Sequence, residues 1–259
     1  MLKTAHRASS TAIASTLVLL AQSLASDSAQ AQAQDWTHGW SGQATVYGWL
    51  PTINGAQEGR DGSPIVELDA ADVLSALDMA FMGSAEIRKD KFGLLFDMVY
   101  ADLSQSGSIA RGNIDTEVGT KLGIYTAAAS YRVYEASRSF VDVYAGARFF
   151  DANLSFDIEG PNRGLSTGAG LSWTDGIVGV RGTVPLTERW SMSGFADIGG
   201  FDSGSDLSWE IYGGGNYAFS SAWAGTIGYR YMSIKYQATD RALLDINVQG
   251  PLFGITYKF

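Results

Sequence analysis

The chain contains no cysteine, which excludes disulfide bonds, thiolate nucleophiles and cysteine-ligated metals. Histidine is almost as scarce, because the sequence has only His6 and His38. No histidine is therefore available on a later strand or loop as a general base, which argues against hydrolases that depend on one. Basic residues number 18 against 27 acidic ones, and the net charge of −9 argues against nucleic acid as a partner.

Long apolar runs are missing after the amino-terminal segment. Lys3, His6 and Arg7 precede an apolar run over residues 11–25, and Ala-x-Ala spacings follow at residues 29–33. This order predicts a cleaved secretory signal peptide over residues 1–33, since the run is shorter than the roughly 20 residues of a spanning helix. No later stretch of about 18 apolar residues occurs. The mature chain, residues 34–259, is therefore predicted to be either periplasmic or a membrane β-barrel.

Alternation of apolar and polar residues with a period of two dominates the mature sequence. The last strand places Phe253, Ile255, Tyr257 and Phe259 on one face. About nine further segments repeat the pattern, with large apolar residues on one face and small, polar or charged residues on the other. The composition agrees, with 46% hydrophobic residues, 12% aromatic residues and 31 glycines. The sequence thus predicts an all-β fold with one lipid-facing surface.

Ten strand-like segments can be laid out between Trp40 and Phe259, and their connections alternate between short and long. Short polar turns fall near residues 89–91, 135–138, 187–189 and 220–221, and long connections near residues 51–77, 102–119, 157–170, 201–205 and 237–242. This asymmetry predicts a transmembrane antiparallel β-barrel of about ten strands, with eight as the alternative and both termini periplasmic. A short helix with Asp69 as its N-cap is expected near residues 68–77.

Charged residues indicate which face of each strand points inward, because a Lys or Arg that faces lipid at mid-depth costs about 2 to 4 kcal/mol. The rule places six acids and five bases in the lumen. We expect them to form interlocked arginine–carboxylate bridges. These lumen-lining residues are Glu86, Arg88, Asp97, Arg132, Asp142, Arg148, Asp175, Arg181, Asp197, Glu210 and Arg230.

Two further patterns concern the ends of the strands. Asp245, Asn247 and Gln249 share the parity of the outward Phe253, which predicts a β-bulge at residues 250–251 that turns the polar residues inward. Aromatic residues near strand ends are predicted to form interfacial girdles, and a soluble β-sandwich core is the alternative. These residues are Trp40, Trp49, Tyr134, Trp173, Trp190, Phe219, Trp223 and Tyr257.

Neither a cofactor nor a metal site is predicted. Calcium-loop spacing does not occur, and the glycine clusters at residues 199–200 and 213–215 lack the strand-to-helix context of a phosphate loop. A charge-paired lumen favours an envelope structural or surface role without enzyme activity. A narrow pore for small solutes is the alternative, and a membrane-embedded hydrolase that uses loop carboxylates is a third hypothesis.

Four motifs carry a resemblance to known proteins. They are Tyr-Ala-Gly-Ala-Arg at 144–148, Gly-Val-Arg-Gly at 179–182, Gly-Tyr-Arg-Tyr at 228–231 and the terminal residues 250–259. With these motifs, residues 38–259 resemble the small outer-membrane β-barrel proteins of Gram-negative bacteria, the opacity-protein and OmpW-like group. The resemblance implies contact with outer-membrane lipid and lipopolysaccharide. It also implies that the barrel assembly machinery reads a carboxy-terminal signal at Phe253, Ile255, Tyr257 and Phe259.

Overall fold

The computed structural model describes residues 39–58, 64–109, 114–159, 164–239 and 242–259, so the predicted signal peptide lies outside the described residues. The described residues form twelve strands and one helix, α1 (Ala70–Ala76). The strands are β1 (Trp40–Trp49), β2 (Thr52–Glu58), β3 (Pro64–Leu68), β4 (Leu77–Lys89), β5 (Phe92–Ile109), β6 (Ile114–Ala136), β7 (Ser139–Glu159), β8 (Gly164–Pro185), β9 (Trp190–Gly200), β10 (Leu207–Ala218), β11 (Trp223–Thr239) and β12 (Ala242–Lys258).

Ten of the strands close into one antiparallel barrel. β1 and β4 to β12 pair in sequence order, and β12 returns to pair with β1 from Gln43↔Lys258 to Trp49↔Leu252. Closure gives the backbone groups of the first and last barrel strands a partner. The predicted all-β barrel of ten strands is confirmed. In the described part of the chain, no helix has the length and apolar character needed to cross a membrane.

A hairpin and the helix fill the first long connection. β2 continues the line of β1 along β12, and β3 pairs with β2 on its other side. The Asp69 carboxylate accepts a hydrogen bond from the Asp72 N–H at 2.8 Å, and the Asp72 carboxylate accepts one from the Asp69 N–H at 3.2 Å. This capping box confirms the predicted N-cap. The sequence reasoning did not predict the hairpin.

Two of the predicted long connections are mostly strand. β5 continues to Ile109 and β6 begins at Ile114, while β7 continues to Glu159 and β8 begins at Gly164. We call the end of the barrel with the short turns lower and the opposite end upper. The upper parts of these four strands form a projecting sheet, which we define as residues 102–109, 114–122, 151–159 and 164–175. At about 3.3 Å per residue, the nine residues 151–159 add about 30 Å along the strand.

The two faces of the wall exchange character part-way along the strands. In the lower part of β7, Val143 and Phe149 are exposed on the outer face, while Arg148 is buried in the lumen. One residue further, Phe150 is 3% exposed on the inner face and the polar Asp151 follows on the outer face. The lower wall therefore has an apolar outer face and a charged inner face, and the upper wall has a polar outer face and an apolar inner face. We call this transition the face exchange.

The predicted β-bulge at Gly250-Pro251 is wrong. Pairing with β11 runs through this point without a shift, and the pairings of β12 with β1 and β2 share one register. Asp245 and Asn247 consequently face outward, where Asp245 lies 3.7 Å from Lys235 and Asn247 Oδ1 accepts from Tyr231 Oη at 2.8 Å. The break in parity is the face exchange, because these residues lie above the apolar part of the outer surface.

Candidate functional site in the barrel lumen

The outer face of the lower wall is a continuous apolar belt. From Phe92 to Tyr100 its outward positions span nine residues of β5, which matches the about 9 to 11 residues that a tilted membrane-spanning strand needs. An apolar surface of this extent is typical of contact with lipid hydrocarbon. Its exposed side chains include Val46, Phe81, Ile87, Phe92, Leu94, Phe96, Val143, Phe149, Val178, Val180, Met192, Ile198, Ile211, Ile227 and Tyr229.

Aromatic side chains border the belt at the short-turn end. Six residues predicted for a girdle are exposed there: Trp40, Tyr134, Trp190, Phe219, Trp223 and Tyr257. The prediction is wrong for Trp49, which is 3% exposed, and for Trp173, which lies inside. The Trp173 ring stacks on Phe150 at a centroid distance of 4.7 Å and lies 4.8 Å from the ring of Tyr236. Both tryptophans belong to the apolar inner face above the face exchange.

Five charged residues near the short turns form a lower cluster: Glu86, Arg88, Arg132, Asp142 and Arg181. The fully buried Asp142 accepts hydrogen bonds from Arg88 Nη2 at 2.5 Å, Arg132 Nε at 2.9 Å and Arg181 Nε at 3.2 Å. Glu86 accepts from Arg88 Nε at 3.0 Å and also from Arg181. Three guanidinium groups thus share two buried carboxylates, and Arg132 Nη1 also lies 3.3 Å from the exposed Glu135. Without Glu135, the lower cluster has a formal charge of +1.

Five more charged residues form an upper cluster: Asp97, Arg148, Asp197, Glu210 and Arg230. Arg148 makes a two-pronged contact with Asp197, at 3.0 and 2.8 Å, and its Nη2 lies 2.7 Å from Glu210 Oε2. Arg230 donates to Glu210 through Nε and to Asp97 Oδ1 through Nη2 at 3.0 Å. Two guanidinium groups share three carboxylates, which gives a formal charge of −1 and balances the lower cluster.

Two tyrosines complete the upper cluster. Tyr47 Oη donates to Asp97 Oδ2 at 2.8 Å and accepts from Arg230 Nη1 at 2.8 Å. Tyr144 Oη donates to Asp197 Oδ2 at 2.9 Å. Sequence reasoning included neither tyrosine in the network. The available signal is parity, because Tyr144 and Arg148 are four positions apart on one strand and so share a face.

Asp175 stands apart from both clusters. It is fully buried and accepts hydrogen bonds from the Ser205 N–H at 2.7 Å, Ser205 Oγ at 2.6 Å and Ser208 Oγ at 2.8 Å. Its hydrogen-bond donors are thus serine hydroxyl and backbone groups rather than arginines. The contacts attach the connection between β9 and β10, residues 201–206, to the inner wall.

Apolar side chains close the lumen above the upper cluster. We call this group the apolar plug: Trp49, Met82, Val99, Phe150, Trp173, Met232 and Ile234. The Arg230 guanidinium lies 4.9 Å from the centroid of the Trp49 ring and so connects the plug to the ions below. On the short-turn side, a cavity of about 490 Å³ is lined by Glu86 and Arg181 of the lower cluster, by the upper cluster and by turn residues such as Arg138 and Arg189. The described lumen is therefore a pocket that is open at one end and filled at the other.

The lumen carboxylates are arranged to hold the wall together. Each carboxylate of both clusters accepts a hydrogen bond from arginine or tyrosine. Glu210 Oε2 accepts none but lies 2.7 Å from Arg148 Nη2, so the buried charges are paired rather than left poised for proton transfer. Among the described residues, no group of three or more His, Asp or Glu could hold a metal ion. The four aromatic and aliphatic residues of the predicted assembly signal, Phe253, Ile255, Tyr257 and Phe259, are exposed along the outer face at the end of the chain.

The closed wall, the apolar belt and the buried ions together define the class: this chain is a transmembrane β-barrel of the outer-membrane type. Its location in the outer membrane follows from that class, because closed antiparallel barrels with short turns at one end are the strand architecture of that membrane. The fold fits the outer-membrane group that the sequence motifs resemble.

Comparisons with known proteins give matches at the level of structure. No family model and no curated protein matches the sequence. The translocator domain of the autotransporter NalP from Neisseria meningitidis is 13% identical, covers 96% of this chain and 98% of its own, and has a TM-score of 0.35. The attachment invasion locus protein Ail of Yersinia pestis is 13% identical, covers 85% and 99%, and has a TM-score of 0.34.

Neisserial surface protein A is 16% identical, and the match covers 85% of this chain and 97% of the neisserial protein, with a TM-score of 0.33. All three TM-scores lie below 0.5. The class assignment therefore rests on the strand order and on the two faces of the wall.

Proposed function

We propose that the protein is a non-conducting outer-membrane barrel with an envelope structural or surface role. The filled lumen carries this proposal: the apolar plug closes the space above the ion clusters. In the proposed orientation, both termini and the short turns face the periplasm, and the projecting sheet stands at the cell surface. Lipid and lipopolysaccharide contact the outer wall, and the barrel assembly machinery recognises the carboxy-terminal aromatic residues. Removal of residues 1–33 precedes assembly.

The energetics of the lumen favour a closed state. Arg148 is 2% exposed and Asp142 is fully buried. Breaking one buried ion pair without replacing its partner costs about 3 to 5 kcal/mol. A conducting path would require both the separation of such pairs and the displacement of the stacked Phe150 and Trp173 rings. Thermal opening of this path is therefore rare.

Planar-bilayer recording of the refolded protein tests the proposal. We expect the native protein to show no stable unitary conductance. The variant Phe150→Ala with Trp173→Ala removes two plug rings and should produce conductance, whereas Phe149→Ala removes a neighbouring ring from the outer face and should not. Stable conductance steps from the native protein would contradict the sealed barrel.

A narrow pore for small solutes is the second candidate function. The cavity of about 490 Å³ that opens at the short-turn end favours it, since Arg181, on the cavity wall, keeps 17% of its side chain exposed. In this case the native protein conducts, and Arg181→Met changes the size of the unitary step or its ion preference. A membrane-embedded hydrolase would have to use loop carboxylates, because the carboxylates of the described lumen are held by hydrogen-bond donors.

A further inference from the structure

β8 has an unpaired backbone edge above the barrel. It pairs with β7 from Gly164 to Thr183, but with β9 only from Gly176 to Pro185. The connection between β9 and β10 covers the edge just above that point, where Gly204 lies against Thr174 and Trp173. Residues 164–172 therefore present one edge to which no strand of the described chain is hydrogen-bonded.

The backbone groups that face this edge can be identified. The Gly176 N–H donates to Ser203 Oγ at 3.2 Å, on the side away from β7. Donor direction alternates along a strand, and the pairing of β7 with β8 has no register shift. Within residues 164–172, the even-numbered residues thus direct their N–H and C=O groups to the open edge. These residues are Gly164, Ser166, Gly168, Gly170 and Ser172.

The open edge lacks the usual protection against strand pairing. Natural edge strands are interrupted by proline or β-bulges, or they carry charged residues, lysine above all. Residues 164–172 read Gly-Leu-Ser-Thr-Gly-Ala-Gly-Leu-Ser, with no charge and no proline, and the pairing of β7 with β8 has no bulge there. A row of regularly spaced donors and acceptors in an uncharged strand is a template for one more strand.

Side chains next to the edge define what such a strand would carry. On the inner face, Leu165 is 63% exposed and Leu171 is 36% exposed, so apolar side chains would gain contact there. On the outer face, β8 offers only small residues, while the adjacent β7 places Asp157 opposite Ser166 and Asp151 opposite Ser172. A lysine or arginine on an added strand could reach these carboxylates over the small residues, across about two strand spacings of 4.8 Å.

We propose that residues 164–172 bind an extended segment of a partner protein by antiparallel strand addition, and that this segment alternates apolar residues with lysine or arginine. The net charge of −9 on this chain favours such a basic partner. A second copy in the same membrane is a poorer occupant. Its β8 would run in the same sense, whereas antiparallel pairing requires opposite senses. The inference rests on the proposed surface role, because that role places residues 164–172 outside the cell, where the partner would bind.

A labelled nine-residue peptide that alternates valine with lysine is the probe, titrated onto the full chain in detergent micelles. We expect saturable binding that weakens with salt, together with slower amide hydrogen exchange at the even-numbered residues of 164–172. A peptide with glutamate in place of lysine should bind at least tenfold more weakly. Equal binding of the two peptides would overturn the charge assignment.

A matched pair of variants tests the backbone contact. Ser166→Pro with Ser172→Pro removes two N–H groups from the open edge and leaves the pairing with β7 its donors, whereas Ser166→Ala with Ser172→Ala keeps both N–H groups. The proline variant should lose at least tenfold in affinity and the alanine variant should bind like the native chain. Equal binding by both variants, or self-association through this edge without peptide, would overturn the proposal.

Two controls make the outcome decisive. Heat-modifiable gel migration verifies that the proline variant is folded. If that variant does not fold, the variant Asp151→Asn with Asp157→Asn replaces it and should weaken binding of the lysine peptide at least threefold. Unchanged binding would overturn the proposal. Bilayer recording on the same preparation keeps the two hypotheses separate. A barrel that conducts but still binds the peptide contradicts only the sealed lumen, and a silent barrel that fails to bind contradicts only the strand addition.

Discussion

The loss of folding stability on replacing Arg148 with methionine tests whether the charged residues of the lumen are shielded from water. Arg148 contacts Asp197 through both Nη atoms and lies 2.7 Å from Glu210. Methionine fills much of the same space without charge, so the change removes the cation and leaves only a small cavity. The upper cluster then holds one guanidinium, that of Arg230, against three carboxylates, and its formal charge falls from −1 to −2.

The expected loss of stability is about 3 to 5 kcal/mol, the usual cost of leaving buried charge without its partner. This corresponds to more than about a hundredfold change in the ratio of folded to unfolded protein. Urea titration in detergent micelles, followed by the gel separation of folded and heat-unfolded bands, measures the shift in midpoint. Arg148→Met with Asp197→Asn returns the cluster to −1 and should recover part of the loss.

The matched control is Lys121→Met. Lys121 Nζ lies 3.4 Å from Asp102, and the lysine side chain is 60% exposed, so this ion pair contributes at most about 1 kcal/mol. If Arg148→Met proves no more costly than Lys121→Met, the lumen is hydrated and its ions do not seal it. In that case the narrow-pore hypothesis would replace the structural one.

Three further changes give separate outcomes. Gly146→Ala should abolish the folded band on the gel, because the new Cβ would meet the backbone of β6. The control Gly176→Ala should fold, because a Cβ there meets no atom within 4 Å. Equal folding of the two variants would contradict the close approach of β7 to β6 at Gly146. Asp175→Ala leaves three donors without their acceptor, so residues 201–206 should be cut by protease at least tenfold faster, and an unchanged rate would show that the connection is held otherwise. Deleting Phe259 should lower the yield of assembled barrel in cells severalfold more than Phe219→Ala does, and equal yields would argue against a terminal signal.

The strand count and the inward charges could be predicted because both follow from local rules. Alternation with a period of two is a property of the single strand, and an ion such as Arg88 has no acceptable position on a lipid face. The short turns are also local, since Asp90 and Ser137 adopt positive φ within two-residue polar turns at the predicted places.

The partners of each ion could not be predicted. Asp142 on β7 draws arginines from β4, β6 and β8, and this set depends on strand register and barrel curvature rather than on sequence spacing. The positions of Trp49 and Trp173 failed for a different reason. An aromatic residue near a strand end suits an interfacial girdle and an apolar interior equally well, and only its height relative to the face exchange separates the two.

The face exchange also fixes how deeply the barrel is immersed. Raising the molecule by one pair of residues along β12 would lift Phe253 out of hydrocarbon, and lowering it would draw Gln249 and Asn247 into hydrocarbon. Both displacements are resisted on each strand that carries the face exchange, such as β7 and β12. A bilayer of another thickness would consequently have to stretch or thin around this protein, because the wall has no freedom to slide.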